Sequence, residues 1–212
     1  MYAGVTSHFT THVEALVVIV EVVLLLGFAF PLWSQRVDDN KGPGLDDKDV
    51  IRIRAVGQTF LWNFHYAGED TRFGLIRPDR IDAINPVGIV REDLNAEDDF
   101  VVPGELVIPV GKTIIVQVTS KDVIHNLALV PMRTQQDAIP GMELPMRFEA
   151  IKEGEWDIVC AQLCGAGHAT MKAKLTVLSQ EDFDAWFAEK AAMAAAQNAP
   201  PAPSPAEPAP AQ

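Results

Sequence analysis

Cys160-Ala-Gln-Leu-Cys164-Gly-Ala-Gly-His168-Ala-Thr-Met171 contains both cysteines of the 212-residue chain, one of its five histidines and a methionine. Thiolate, imidazole and thioether are soft or borderline donors, and together they select copper over magnesium, calcium or manganese. A mononuclear blue-copper site needs one cysteine, two histidines and a weak axial methionine, whereas this stretch offers a second cysteine and a single local histidine. Two thiolates in one loop can bridge two metal ions, each completed by its own histidine. The second histidine then comes from elsewhere, and His125 in Ser120-Lys-Asp122-Val123-Ile-His125 is the best placed. Other readings of the stretch stay open. The spacing also suits one face of a helix, but Gly165 and Gly167 favour a loop. A Cys160–Cys164 disulfide is a further alternative outside the cytoplasm, and zinc another.

Outward from this loop, the chain reads as short strands. Glu105–Pro109, Thr113–Val118, Asn126–Val130, Met146–Ala150, Asp157–Cys160 and Lys172–Val177 recur at regular intervals with Gly and Pro between them. That spacing predicts a mainly β, Greek-key sandwich or barrel. Upstream, Ile51, Ile53 and Ala55 alternate with Arg52 and Arg54, as on a half-buried strand. Phe60, Trp62, Phe64 and Tyr66 alternate with Leu61, Asn63 and His65, and this aromatic stripe reads first as core. Residues 67–100 read as loop, with an acidic cluster (Glu92, Asp93, Glu97, Asp98, Asp99) expected on a solvated face. Ser179 to Gln197 reads as a helix capped by Ser179, and residues 198–212 as a disordered Pro/Ala tail.

At the other end, Ala15 to Trp33 is apolar except for Glu21, and as a helix it would be about 29 Å long, close to the roughly 30 Å bilayer core. We read it as a retained span rather than a cleaved leader, because no Lys or Arg precedes it and the apolar run is long. Charge does not orient it, since Arg36 and Lys41 flank its C-terminal end. The expected organisation is an N-terminal segment (1–13), a transmembrane helix (14–34), a linker (35–48), a β domain (49–178), a C-terminal helix (179–197) and the tail. The net charge of −12 argues against nucleic acid and polybasic membrane binding, and favours a cationic soluble partner.

Cys-x3-Cys-x3-His-x2-Met, preceded by Ser-x-Asp-Val-x-His, resembles the dinuclear copper A site of cytochrome c oxidase subunit II. Asp137-Ala-Ile-Pro140-Gly141, Gly154-Glu-Trp156 and the run from Gly57 to Tyr66 extend the likeness over roughly residues 12 to 190. The resemblance implies a cupredoxin-like domain and two coppers per chain. Cys160 and Cys164 would bridge them, His125 and His168 would each cap one, and Met171 and the Gln162 backbone carbonyl would be weak ligands. Asp122, three residues before His125, is a candidate to orient that loop, with a plain surface turn residue as the alternative.

The same resemblance implies electron transfer within a membrane haem-copper oxidase. Electrons would come from cytochrome c or a complex-bound cytochrome and pass to haem in subunit I, where oxygen is reduced and protons are pumped. Subunit III is a further expected partner, and haem resides only in subunit I. The implied location is a bacterial plasma (inner) membrane, single-pass, with the copper domain on the outer, periplasmic face. Relatives usually carry two spans; a minority carry one, and a start site chosen too late would look the same.

Two departures from the family pattern matter. Gln162 stands where glutamate commonly binds magnesium, so that magnesium site is expected to be weak or absent. Phe60 stands where a tryptophan commonly receives the electron, while Trp62 is retained; both are candidate electron-entry residues. The family's glutamate at the mouth of a proton path is matched better by Glu14 than by Glu21, for which an interhelical hydrogen bond to a partner subunit is the alternative. A membrane-anchored copper-binding or chaperone protein, or another copper A electron carrier, is the alternative function. No Cys-x-x-Cys-His occurs, which excludes covalent haem attachment by that motif.

Overall fold

The computed structural model describes Gly4, residues 8–41 and residues 50–198. Residues 42–48 of the expected linker and 199–212 of the expected tail lie outside the described residues. Two compact units divide the chain, residues 1–42 and 43–212.

The first unit is helical: α1 (Phe9–Leu24), a five-residue π-helical segment Leu25–Ala29, and α2 (Phe30–Lys41). Pro31 accounts for the interruption. It has no N–H to donate one turn back and its ring crowds the preceding turn, so the ladder loosens there and Phe30 N–H reaches the Leu25 carbonyl. Helical structure begins before residue 14 and continues through Lys41, into the expected linker. Phe9–Gln35 is long and apolar enough to cross a membrane, and its large side chains are exposed.

The second unit has ten strands among the described residues, in two five-stranded sheets. The first is ordered β3 (Phe100–Pro103), β2 (Leu61–Tyr66), β1 (Val50–Gln58), β5 (Thr113–Ser120), β8 (Leu144–Glu149). The second is ordered β4 (Glu105–Pro109), β10 (Lys172–Leu178), β9 (Gly154–Cys160), β6 (His125–Leu129), β7 (Thr134–Ala138). The β1–β5 and β4–β10 pairs are parallel and the others antiparallel. Alternation sends Ile53, Ala55, Trp62, Phe64, Tyr66, Ile114, Val116 and Val118 into one core with Leu106, Ile108, Leu127, Leu129, Ile158, Leu175 and Val177. Each large apolar side chain fully buried there contributes roughly 1.5–3 kcal/mol of transfer free energy.

α3 (Gln180–Asn198) closes the end of the sandwich. Ser179 Oγ accepts from Asp182 N–H at 3.1 Å, an N-cap, and Trp186 and Phe187 pack edge-on against Tyr66 and Phe100, with Phe183 against both of them.

The outer face of β1 and β2 overturns two expectations. That face is not solvated: residues 67–99 fold back over it, and Val56, Val87, Ile89 and Ala96 form a second small core. Within this cover, Arg54 and His65 are cross-strand neighbours, and Asp99, expected on a solvated acidic face, is fully buried. Asp99 accepts from His65 Nε2 at 2.7 Å and from the backbone N–H groups of Gly68 and Gly74, which pins the segment at both of its ends. Arg54 Nη1 lies 3.3 Å from His65 Nδ1, and its guanidinium sits over Phe73 and pairs with Glu143. A neutral imidazole protonated on Nε2 satisfies both neighbours, because Nδ1 is then free to accept from Arg54.

Burial lowers the His65 pKa, outweighing the hydrogen bond and charge of Asp99 that raise it. The sign for stability follows. His65 is neutral when folded, whereas the unfolded chain binds a proton below about pH 6.5. Stability from this group is therefore complete above that pH and is lost as pH falls, by up to about 1.4 kcal/mol per pH unit. Denaturant midpoints of the full chain at pH 8 and 5.5 check this. His65→Gln is expected to flatten the slope, and an equal slope in both proteins would contradict the assignment.

Candidate metal centre

Strand pairing gathers the candidate ligands. β9 ends on Cys160 and β10 starts at Lys172, so the loop between them leaves and returns on adjacent strands, closed by Cys160 N–H to Met171 carbonyl at 3.1 Å. β6 begins at His125 and pairs with β9 on its other side, with Leu127 opposite Cys160. That pairing brings a histidine 35 residues away next to the first cysteine.

His125 Nδ1 stands 3.9 Å from Cys160 Sγ, Cys160 Sγ stands 3.9 Å from Cys164 Sγ, and Cys164 Sγ stands 3.7 Å from both His168 Nδ1 and Met171 Sδ. The Gln162 carbonyl lies 3.2 Å from Cys160 Sγ. Both cysteines are free, with their sulfurs well beyond the roughly 2.05 Å of a disulfide bond. With metal–sulfur bonds of about 2.3 Å and metal–nitrogen bonds of about 2.0 Å, two donors on one tetrahedral ion stand roughly 3.5–3.8 Å apart. The spacings match donors arranged around shared ions, with the thiols in the middle, an imidazole on either side and Met171 beside Cys164. His125, Cys160 and Cys164 form a buried metal-competent group.

Asp122 fixes the orientation of His125. Its Oδ1 lies 2.8 Å from His125 Nε2, so an N–H there leaves the Nδ1 lone pair facing Cys160. Burial opposes the Asp122 charge, but hydrogen bonds from Thr59, His125 and Val123 outweigh it and hold the carboxyl below the usual range. Burial, with Cys160 beside it, pushes the Cys164 thiol up to about 11. The metal-free chain therefore carries Cys164 as a thiol at neutral pH, and a metal must displace that proton.

The family of this domain follows from comparison. Residues 51–178 match the model of cytochrome c oxidase subunit II, periplasmic domain. The chain belongs to the cytochrome c oxidase subunit II family. The alternative cytochrome c oxidase subunit 2 of Bradyrhizobium diazoefficiens is 35% identical over 143 residues, covering 67% of this chain and 52% of that protein. The chain thus spans about half the length of that relative. The crystal structure of the periplasmic domain of subunit II of cytochrome oxidase of Bradyrhizobium japonicum is similar at TM-score 0.51 and 30% identity, over 71% of this chain and 97% of that one. A second structure, a mixed disulfide intermediate between a thioredoxin-like protein and subunit II of cytochrome c oxidase, is similar at TM-score 0.50 and 28% identity, over 72% and 97% of the two chains. The two-sheet fold is the cupredoxin-like one expected of the family.

Within this subunit II domain, the two candidate entry residues separate. Trp62 is fully buried, its ring edge-on to His125 at 5.9 Å between centroids. Phe60, read from the alternation as the first member of a core stripe, is instead 38% exposed. It occupies the β1–β2 turn, where the strand alternation has ended, and lies against the backbone of the β9–β10 loop at Gly165 and Gly167. A Cβ on Gly167 would fall 2.3 Å from the Phe60 ring, so glycine permits this contact. Gln162 is exposed, two residues after the end of β9. Glu14 and Glu21 sit seven residues apart on α1, on one face of that helix; they belong to the other compact unit. Sequence reasoning missed Gly57, whose missing Cβ leaves room for His125: a methyl there would lie 2.9 Å from the imidazole. Gly57 opens the aromatic run, and its contact becomes visible only once β1 and β6 are placed.

Proposed function

We propose that this chain is the electron-transfer subunit of a membrane haem-copper oxidase. Cys160 and Cys164 would bridge two copper ions, His125 and His168 would cap them, and Met171 and the Gln162 carbonyl would complete the set weakly. When bound, such a copper pair takes up and releases one electron at a time. The observation that carries the reading is the row of donors at 3.7–3.9 Å spacing around two reduced thiols.

The chain's own residues would supply rigidity. His125 and Met171 are almost wholly buried and sit at strand ends, so ligand positions change little with redox state. Asp122 holds the imidazole tautomer, and the sandwich excludes water from one side. Those features favour electron transfer over a copper chaperone, which needs an exposed and labile site. The thiols must be reduced before loading, and the relative caught as a mixed disulfide with a thioredoxin-like protein supports such a step for this pair.

The remaining proposals rest on the family. Phe9–Gln35 would anchor the chain in a bacterial plasma membrane, with the β domain on the periplasmic face. Cytochrome c or an equivalent donor would reduce the copper pair, and haem in subunit I would oxidise it, with subunit III as a further neighbour. Glu14 or Glu21 would stand near a proton path.

The test is stopped-flow mixing of the copper-loaded full chain with a reduced soluble c-type cytochrome. The negative surface should give electron uptake that slows as salt rises. Phe60→Trp should speed uptake, because Phe60 is the exposed aromatic above the loop. Rates indifferent to both salt and Phe60→Trp would exclude this entry route.

Gln162 offers a neutral amide where a hard cation prefers a carboxylate. Manganese titration of the assembled oxidase should show weak or no binding at the interface with subunit I, strengthened by Gln162→Glu. Tight binding that depended on Gln162 would refute the proposal.

A further inference from the structure

The geometry points to Thr59 as a positioning residue of the metal centre, acting through Asp122 on the tautomer of His125. The inference rests on the copper reading for its consequence, but not for its geometry. Thr59 lies in the turn between β1 and β2, next to Phe60. Its backbone N–H and its hydroxyl both reach Asp122 Oδ2, at 2.7 and 2.6 Å. Asp122 Oδ1 is left for His125 Nε2 at 2.8 Å and for Val123 N–H at 2.7 Å. The two carboxylate oxygens are thus committed to different neighbours, and the carboxylate plane has one setting.

The end of β1, just before this turn, is stitched to the His125 loop by Lys121 N–H to the Gly57 carbonyl at 3.0 Å. Gly57 and Trp62, from the two strands that the turn joins, confine the His125 ring sterically. Sterics fix the ring position but do not choose which nitrogen carries the proton; the Asp122 carboxylate does. Asp122 is 32% exposed, so without the Thr59 hydroxyl Oδ2 keeps one main-chain donor and can exchange the other for water. The carboxylate then loses its single setting. His125 gains access to the Nδ1–H tautomer, which points a proton at Cys160 and cannot bind a metal there.

Thr59 is exposed, so its side chain can be changed without opening the core. The experiment compares the native full chain with Thr59→Val and Thr59→Ser. Valine keeps the branched shape and the N–H but removes the hydroxyl, and serine restores the hydroxyl. In the metal-free proteins, long-range proton–nitrogen NMR at one neutral pH reads the His125 tautomer. In loaded proteins, chelator competition reads copper affinity and the spin spectrum reads the histidine environment. Thr59→Val is expected to give a mixture of His125 tautomers and roughly tenfold weaker copper binding, with Thr59→Ser close to native. A single Nε2–H tautomer and native affinity in Thr59→Val would overturn the assignment. Failure of Thr59→Ser to restore a loss seen in Thr59→Val would also overturn it, since shape rather than the hydroxyl would be responsible. Should the native chain bind no copper pair, the copper reading fails, while the metal-free tautomer measurement still decides the role of Thr59.

Discussion

Cys160→Ser and Cys164→Ser are each expected to abolish the shared-electron copper pair while leaving a folded domain. A serine hydroxyl is a hard donor and far less acidic than a thiol, so it does not form the bridging anion that two soft metals need. Cys160 lies between His125 and Cys164, and Cys164 lies between Cys160 and His168. Losing either sulfur therefore disconnects an imidazole from the middle of the row. The replacement is close to isosteric, and the cost of burying a hydroxyl is about 1–3 kcal/mol, within what a domain of this size tolerates. Met171→Leu is the comparison. It removes one weak donor beside Cys164 and should retain two coppers with a shifted potential. Copper per chain and the electron spin signal of all three variants check the expectation. A serine variant that kept two coppers sharing one unpaired electron would contradict the bridging roles.

Trp62→Ala should be the most destabilising single change near the site. Its side chain is fully buried in the main core, and truncating a buried tryptophan costs roughly 3–5 kcal/mol. For a domain of this size that lowers the melting temperature by roughly 6–20 °C. The lost ring also removes one wall from His125, so copper retention should fall with stability. Phe60→Ala, at an exposed turn, should change the melting temperature by a few degrees at most. Calorimetry on the full chain separates the two. Equal effects at both positions would mean that Trp62 does not support the core as its burial indicates.

The ligand loop was legible because its chemistry is local: two cysteines, a histidine and a methionine fall within twelve residues, and glycines break any helix. His125 was legible through the run from Ser120, and the structure explains its reach by the pairing of β6 with β9. The strands with strong apolar alternation were legible within three residues at each end. β3 and β7 were not. Both are edge strands, β3 is short and ends in Pro103, and β7 is the polar run Thr134–Ala138, which carries no alternation. Asp99 was misplaced for a related reason. An aspartate in an acidic run looks solvated, and only the folding of residues 67–99 over β1 and β2 shows that it is buried between a histidine and two backbone donors. Phe60 failed as a core residue because period-two reasoning runs past the end of a strand into a turn.

Electron paramagnetic resonance of the full chain, purified in detergent and loaded with copper, tests the central claim most directly when combined with copper counting. The account predicts two coppers per chain, one unpaired electron per two coppers, and hyperfine splitting from two copper nuclei. One copper per chain with splitting from a single nucleus would contradict it.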